Sequence, residues 1–298
     1  MSLLVVATYP VEGGAVLEGQ VSLGMDGSPA VDGAPIPASQ GTSALLAAAC
    51  RTASHLGGPL PYALVAGDIG RGDGTRAVYK QLAEAASRVK PAVVAFHYMQ
   101  PVMALLRQAV GELAEACPDA LLVADAGGMY AAKAAGLARR FELMTPDVGE
   151  IGFLADPKVT HPAYVSHYLF GCPGFDPVAL ARQAYESGGS SRVLLIKGAV
   201  DYIAEEGTVA AIVDEPSVPA LEAIGGTGDT ITGLASAFLT AGFDCVDAAI
   251  CASRANREAG LAMQATPAMR AGDLVARLPE VLGKNLQRWR DHSRNSDN

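Results

Sequence analysis

The chain has 298 residues, half of them hydrophobic and 18% charged, with a formal net charge of −9. That balance provides for one large α/β core or two modest ones and excludes nucleic acid as an expected partner, because such a partner needs a basic face. No apolar run reaches membrane-spanning length, Leu3–Ala7 is too short for a signal-peptide core, and the scattered cysteines (Cys50, Cys117, Cys172, Cys245 and Cys251) form no Cys-x-x-Cys, which fits a reduced, cytoplasmic chain.

In chain order, short apolar runs predict strands at Leu3–Thr8, Tyr62–Ala66, Ala92–Phe96, Ala120–Ala124, Glu142–Met144, Arg192–Lys197 and Val209–Val213. Several are almost wholly apolar, as the central strands of a parallel sheet must be. Between and after them, longer amphipathic runs predict helices at Thr42–His55, Thr75–Arg88, Pro101–Cys117, Met129–Arg139, Pro177–Ser187, Thr230–Ala241 and Val246–Gln264. Strand alternating with helix predicts a layered α/β fold. Gly13–Pro37 is rich in Gly, Pro and Val with weak alternation, and reads as a small β-hairpin or lid. Pro157–Pro177, with His161 and His167, reads as a structured insertion, and Lys284–Asn298 as a polar tail.

Ala223–Gly233, Ala-Ile-Gly-Gly-Thr-Gly-Asp-Thr-Ile-Thr-Gly, carries the most chemistry. Glycines let the backbone approach a bound group, and a turn that opens a helix aims free N–H groups and the positive end of the dipole at an anion. Asp229, the one carboxylate in that turn, is placed to take a proton from an attacking hydroxyl. An anion hole beside a base is what phosphoryl transfer requires. The structural alternative is a tight connection and nothing more. Other phosphate motifs do not fit: there is no Gly-x-x-x-x-Gly-Lys-Ser/Thr, and the third glycine of a dinucleotide fingerprint is missing.

Four further segments sit where predicted strands end. Lys197-Gly198 could approach phosphate, or form an ordinary strand exit. Thr145-Pro-Asp-Val-Gly-Glu150 could fix metal-bound water, with a capping box from Asp147 to Glu150 as the structural alternative, and both can hold together. Gly67–Thr75 is a second glycine loop in which Arg71 could add charge for an anion, although a flexible turn is the plainer reading. Asp125 either contacts substrate or caps a helix, and His97 reads as a satisfied structural histidine.

The order of strand–Thr145-Pro-Asp-x-Gly-Glu150, strand–Lys197-Gly198 and Gly225-Gly-Thr-Gly-Asp229-helix resembles the ribokinase-like superfamily, and within it the ADP/ATP-dependent NAD(P)H-hydrate dehydratase group, the carbohydrate-kinase-like YjeF C-terminal domains. The resemblance covers Glu142–Gln264 and, more loosely, Tyr62–Arg88. It implies one ribokinase-like domain over residues 1–283, a mostly parallel sheet flanked by helices with a small N-terminal β element at 13–37, and a polar tail at 284–298. It further implies ATP or ADP and Mg²⁺ as cofactors and a small-molecule hydroxyl as substrate. Asp229 becomes the catalytic base, and Gly226, Thr227 and Gly228 form the anion hole. Lys197, Gly198, Ala252 and Asn256 lie along the nucleotide, Glu150 stands near the metal through water, and Asp125, Gly41 and Thr42 face the substrate. Superfamily members often pair through β elements of this kind, so a homo-oligomer is expected.

Phosphoryl transfer followed by phosphate elimination would restore a dihydronicotinamide, whereas a sugar or vitamin-precursor kinase would leave a stable ester. The chain departs from the dehydratase pattern in its substrate half. Gln40-Gly-Thr-Ser43 is the nearest remnant of a Gly-Ser-x-x-Tyr-x-Gly-Ala loop. Thr-Pro-His becomes Thr145-Pro146-Asp147, and the Asp-Ala-Asp strand end is either Asp125-Ala-Gly127 or lost at Phe96-His97-Tyr98. These departures leave dehydratase, kinase and non-catalytic nucleotide binder all open.

Overall fold

A computed structural model describes residues 1–13, 15–159 and 176–295, with side chains through Arg290. Most of the insertion expected at 157–177, with His161 and His167, lies outside the described residues. Eleven strands form one sheet in the order β11-β10-β9-β8-β7-β6-β1-β5-β2-β3-β4. Its centre is parallel: β5 (Tyr62–Gly67), β1 (Leu3–Tyr9), β6 (Val93–His97), β7 (Leu121–Asp125), β8 (Leu143–Met144) and β9 (Val193–Ile196). Both margins are antiparallel. β10 (Asp201–Glu205) and β11 (Thr208–Val213) close one side, and β2 (Leu17–Leu23), β3 (Pro29–Val31) and β4 (Ala34–Pro35) close the other. The N-terminal β element therefore extends the main sheet, with β2 paired to β5.

β1 shows why the centre is parallel. All seven of its residues are buried: Leu3, Val5, Ala7 and Tyr9 face one helical layer, while Leu4 and Val6 face the other. A strand apolar on both faces needs helices on both sides. One layer holds α1 (Thr42–His55), α7 (Thr227–Thr240), α8 (Cys245–Ala262) and α9 (Ala271–Asn295). The other holds α2 (Asp73–Val89), α3 (Met103–Ala116), α4 (Gly127–Ala134), α5 (Val148–Ala155) and α6 (Pro177–Glu186). Because α1 and α2 lie on opposite faces, the chain reverses its winding at β1. The crevice outside the carboxyl end of that strand is where open α/β sheets hold ligands.

Three differences from the expected elements have local causes. The helix predicted at Met129–Arg139 stops at Ala134, where Gly136 takes a left-handed φ of 71°, and a separate 3₁₀ turn spans Ala138–Arg140. β10 was not predicted, because it opens on Asp201, which reads as a turn residue, and α5 was expected only as the helix start of the capping-box alternative, with no range of its own. The tail boundary expected at 283 falls inside α9, so the polar residues beyond it continue a helix. Among the described residues no helix is long and apolar enough to cross a membrane.

α1 and α7 cross closely because Gly233 has no side chain. A Cβ there would stand 2.2 Å from the Leu45 carbonyl oxygen. Since α1 carries Gly41 and Thr42 at its start and α7 carries Asp229, this crossing sets their separation. Gly233→Ala should force the helices apart and cost about 1–3 kcal/mol, read as a lowered urea midpoint with an unchanged slope.

Candidate functional site

The parallel strands deliver one polar residue each to the carboxyl rim. Thr8 ends β1, Asp68 follows β5, His97 ends β6, Asp125 ends β7, Thr145 follows β8 and Lys197 follows β9. All but Lys197 are buried. Asp125, 1% exposed, receives Lys197 Nζ at 2.8 Å on Oδ1, the Ala126 N–H on the same oxygen, and the Thr232 hydroxyl on Oδ2. Burial opposes the Lys197 charge, but Asp125 and Glu150 more than offset it and hold its ammonium above the ordinary value.

Asp229 lies in the first turn of α7. Its N-cap, Gly226, has a φ of 95°, which favours glycine, and no side chain caps the helix. The first-turn N–H groups of Gly228 and Asp229 therefore precede any intrahelical carbonyl partner. Asp229 Oδ1 lies 2.8 Å from His97 Nε2, and Oδ2 accepts the Gly41 N–H at 3.1 Å. Burial alone would raise this carboxyl, but His97, Lys197 and the Gly41 N–H together hold it below the usual range. Thr227 turns its hydroxyl back to the Leu221 and Ile224 carbonyls, so only its backbone faces the turn's mouth.

The Thr145–Glu150 segment realises the capping box. Asp147 Oδ1 accepts the N–H groups of Gly149 and Glu150, while Glu150 Oε2 accepts the Asp147 N–H. Glu150 Oε1 accepts the Tyr130 hydroxyl at 2.8 Å. Burial pushes the Glu150 carboxyl well above its ordinary value, although Lys197 pulls the other way. A carboxylate has about four acceptor sites, so Glu150 keeps acceptor capacity, and the second oxygen of exposed Asp147 takes no hydrogen bond from the described residues. That pair suits a hard cation held through its own water.

Two cavities meet here. One of about 780 Å³ runs from Asp125, Asp147 and Glu150 past Lys197 and Gly198 to Asn256 and Arg257, and includes Gly228 and Asp229. The other, about 450 Å³, is lined by Thr8, Tyr9, Gln40, Gly41, Thr42 and Gln100 among others, and Tyr98 lines both. Tyr98 is held at a left-handed φ of 51°, with its carbonyl accepting the Thr8 hydroxyl and its ring edge-on to His97. A non-glycine residue kept in that conformation beside a cavity is costly unless its surroundings fix it.

The sequence-predicted residues gather here with one exception. Gly226, Thr227 and Gly228 form the α7 entry, while Lys197, Gly198, Glu150, Asp125 and Asn256 border the larger cavity, and Gly41 and Thr42 border the smaller. Ala252 does not reach it. It is fully buried in the hydrophobic core on α8, because α7 and α9 cover that turn of the helix. The glycine loop at Gly67–Thr75 is also corrected: Asp68 accepts the N–H groups of Gly70, Gly72 and Thr75, and Arg71 pairs with Glu12. That loop's anion is the protein's own carboxylate.

Sequence reasoning missed two groups. His97, read as structural, touches Asp229. The Asp201–Arg257 pair, 2.9 Å apart, shapes the turn after Lys197: Asp201 accepts the Gly198 N–H, and Arg257 donates to the Gly198 and Ala199 carbonyls. The only sequence signals were a histidine at a strand end and an arginine in an apolar helix.

The NAD(P)H-hydrate dehydratase (Carb_kinase) family model matches residues 101–282, more than half of the chain. The protein is a member of this family. It is 33% identical over 224 residues to MJ1337 of Methanocaldococcus jannaschii, covering 75% of this chain and 92% of that one. It is 40% identical over 102 residues to the bifunctional NAD(P)H-hydrate repair enzyme Nnr of Pyrobaculum aerophilum, a match spanning 34% of this chain and 19% of Nnr. The fold is similar to that of Escherichia coli phosphofructokinase-2 (TM-score 0.53, 14% identity, covering 95% of this chain and 100% of that one). It is also similar to that of Bacillus subtilis pyridoxal kinase in its ADP complex (TM-score 0.52, 15% identity, covering 85% and 88%). The family is one of ribokinase-like enzymes that use a nucleotide and act on small molecules.

Two outcomes follow from the buried charges. Lys197→Met keeps the side-chain volume but leaves Asp125 without its ion-pair partner, and should cost about 3–5 kcal/mol in urea unfolding. The raised Glu150 carboxyl means that the folded state binds more protons than the unfolded state above pH 4.5. Stability should therefore fall as pH rises from the ordinary glutamate value toward the raised one. Glu150→Gln should remove that part of the slope, measured as melting temperature against pH.

Proposed function

We propose that the protein transfers a phosphoryl group from ATP or ADP to the hydroxyl of a hydrated NAD(P)H, and that loss of phosphate then restores the dihydronicotinamide. The observation that carries this reading is the partly buried Asp229, its carboxyl held below the usual range by His97 and Lys197, at the uncapped start of α7, where the two cavities meet. The nucleotide occupies the larger cavity, with its transferring group at the N–H groups of the Gly226–Asp229 turn, where aligned backbone dipoles favour negative charge. Lys197 adds a fixed cation. Asp229 takes the proton of the acceptor hydroxyl as the oxygen attacks phosphorus. Asn256 and Arg257 border the nucleotide, the latter by holding the Gly198–Ala199 turn. Asp147 and Glu150 hold Mg²⁺ through water, which would neutralise charge on the phosphate oxygens.

A second reading, a kinase that leaves a stable ester, is favoured by the smaller cavity. Its described lining carries one carboxylate, Asp68, and no lysine or arginine, which suits an uncharged acceptor better than a dinucleotide. Product analysis separates the two: the dehydratase restores reduced-nicotinamide absorbance, and the kinase accumulates a phosphate ester.

We further take the chain through the end of α9 as one catalytic domain that pairs through the β2–β4 margin, to be tested by light scattering. The described cysteines Cys50, Cys117, Cys245 and Cys251 are free, as a reducing cytoplasm would leave them.

Asp229→Asn should lower kcat by about 10²–10⁴-fold while leaving nucleotide affinity near wild type. Full turnover by this variant would exclude Asp229 as the base. ATP or ADP at a hundred times its dissociation constant should stabilise the protein by about 2.7 kcal/mol, and the gain should shrink on removal of Mg²⁺. No shift with millimolar nucleotide would remove the nucleotide site altogether.

A further inference from the structure

His97 is fully buried, and both of its ring nitrogens face oxygen atoms. Nδ1 lies 3.0 Å from Thr42 Oγ1, while the Thr42 hydroxyl is 2.6 Å from the Thr8 carbonyl oxygen. A hydroxyl has one hydrogen, and a carbonyl at that distance requires it. Nδ1 must therefore donate to Thr42. Nε2 lies 2.8 Å from Asp229 Oδ1 and 3.9 Å from Asp125 Oδ2. A bare nitrogen lone pair facing two carboxylates would be repulsive, so Nε2 needs a hydrogen as well. The hydrogen bonds close only when both ring nitrogens are protonated.

From this geometry we infer that His97 is a positioning residue for Asp229: a buried imidazolium that holds Oδ1 in place and so turns Oδ2 to receive the acceptor's proton. The inference rests on the reading of Asp229 as the base. Oδ2 already faces the backbone of Gly41, which lines the smaller cavity, so the proton-accepting oxygen lies on the acceptor's side. The chain Thr8 carbonyl–Thr42 hydroxyl–His97–Asp229 ties the ends of β1 and β6 and the starts of α1 and α7 to one carboxylate. A charge-assisted hydrogen bond of this kind is shorter and stronger than a neutral one, and it fixes the direction of the carboxyl group.

The charged and titratable groups around His97 come from every neighbouring element: Asp229 from α7, Asp125 from β7, Lys197 after β9, Glu150 from α5 and Tyr98 after β6. Asp125 and Asp229 against one lysine leave an excess of negative charge that an imidazolium offsets, while burial holds Glu150 toward its neutral form. His97, Asp125 and Asp229 could also present three ligand atoms within 4.8 Å of one another to a metal ion. Lys197 fills one Asp125 oxygen, and the Nε2 hydrogen inferred above would occupy the gap between the ring and the two carboxylates.

The test uses the full chain labelled with ¹⁵N-histidine and compared with His97→Gln, which identifies the His97 signals. One-bond ¹H–¹⁵N couplings should show hydrogens on both ring nitrogens of wild-type His97 at neutral pH. A single protonated nitrogen there overturns the proposal. So does added Zn²⁺ or Mn²⁺ that displaces the Nε2 hydrogen and raises the melting temperature in wild type but not in His97→Gln. In steady-state kinetics, His97→Gln should lower kcat about 100-fold, as expected for a misplaced base, with the nucleotide KM unchanged, because His97 does not line the larger cavity. A kcat within twofold of wild type, or a nucleotide KM that rises along with the loss of kcat, overturns the positioning role. Persistent turnover in Asp229→Asn would instead exclude Asp229 as the base, and with it the catalytic half of this inference, while the NMR result would still report the protonation of His97.

Discussion

Asp125 is a carboxylate at the end of a central strand, 1% exposed, and the rest of the site is arranged around that charge. An isolated carboxylate in an apolar interior is prohibitively unfavourable, so it must be paired and hydrogen-bonded. Its cation comes from Lys197, two strands away across the two-residue β8. Adjacent strands stand roughly 4.8 Å apart, so the pair must reach across about twice that spacing, which suits the long lysine stem. The strand order β7-β8-β9 is thus written into the charge pair. The Thr232 hydroxyl joins α7 to the same carboxylate, and Thr145 joins Thr232. Asp229 on α7 and the cation beside it are therefore positioned by one buried network.

Helix starts at this rim differ in what fills them. α2 is closed by Asp68 and α5 by its own Asp147–Glu150 box. α1 offers the Gly41 N–H to Asp229, and the N–H of Ala126, at the start of α4, goes to Asp125. α7 alone among these five has its first turn both uncapped and open to the larger cavity. An anion is drawn to N–H groups that nothing else has satisfied. Carboxylates thus close the starts of α2 and α5 and take the N-cap N–H of α1 and α4, whereas the turn that opens α7 receives none. Asp68 is instructive in this respect, because its glycine loop has the composition of an anion site and is already occupied.

The parallel centre was legible because apolar runs bounded by polar ends have few other uses. Thr42–His55 was read to the residue, and the capping box was read from Asp147 and Glu150 alone. Local chemistry repeats locally, so such features survive in one dimension. β10 was hidden because Asp201, its first residue, looks like a turn residue until Arg257, Ser253 and the Gly198 N–H are brought to it. His97 was misjudged for the same reason. Its partners Thr42 and Asp229 lie 55 and 132 residues away, and only the closing of α1 and α7 over the sheet joins them. Ala252 erred in the opposite sense: a small residue one turn from Asn256 suits a cavity wall as well as a packed helix, and only the placement of α7 and α9 decides between them.

The two halves of the site differ in how much of their polar chemistry remains free. On the nucleotide side, backbone N–H groups and the spare acceptor positions of Asp147 and Glu150 are still available. On the acceptor side, Gly41 gives its N–H to Asp229, and Thr42 is spent on Thr8 and His97. Asp125, on the other cavity's border, is spent in the same way. Residues that would otherwise grip a substrate hydroxyl are used here to hold the base. Recognition of the acceptor then falls to what the smaller cavity still exposes, chiefly Tyr9, Gln40, Gln100 and the strained Tyr98. Tyr98 is the most telling of these because it borders both cavities and packs edge-on against His97. A ring fixed there meets the acceptor on one side and the base's own support on the other, so the fit of the acceptor and the setting of the base cannot be tuned separately.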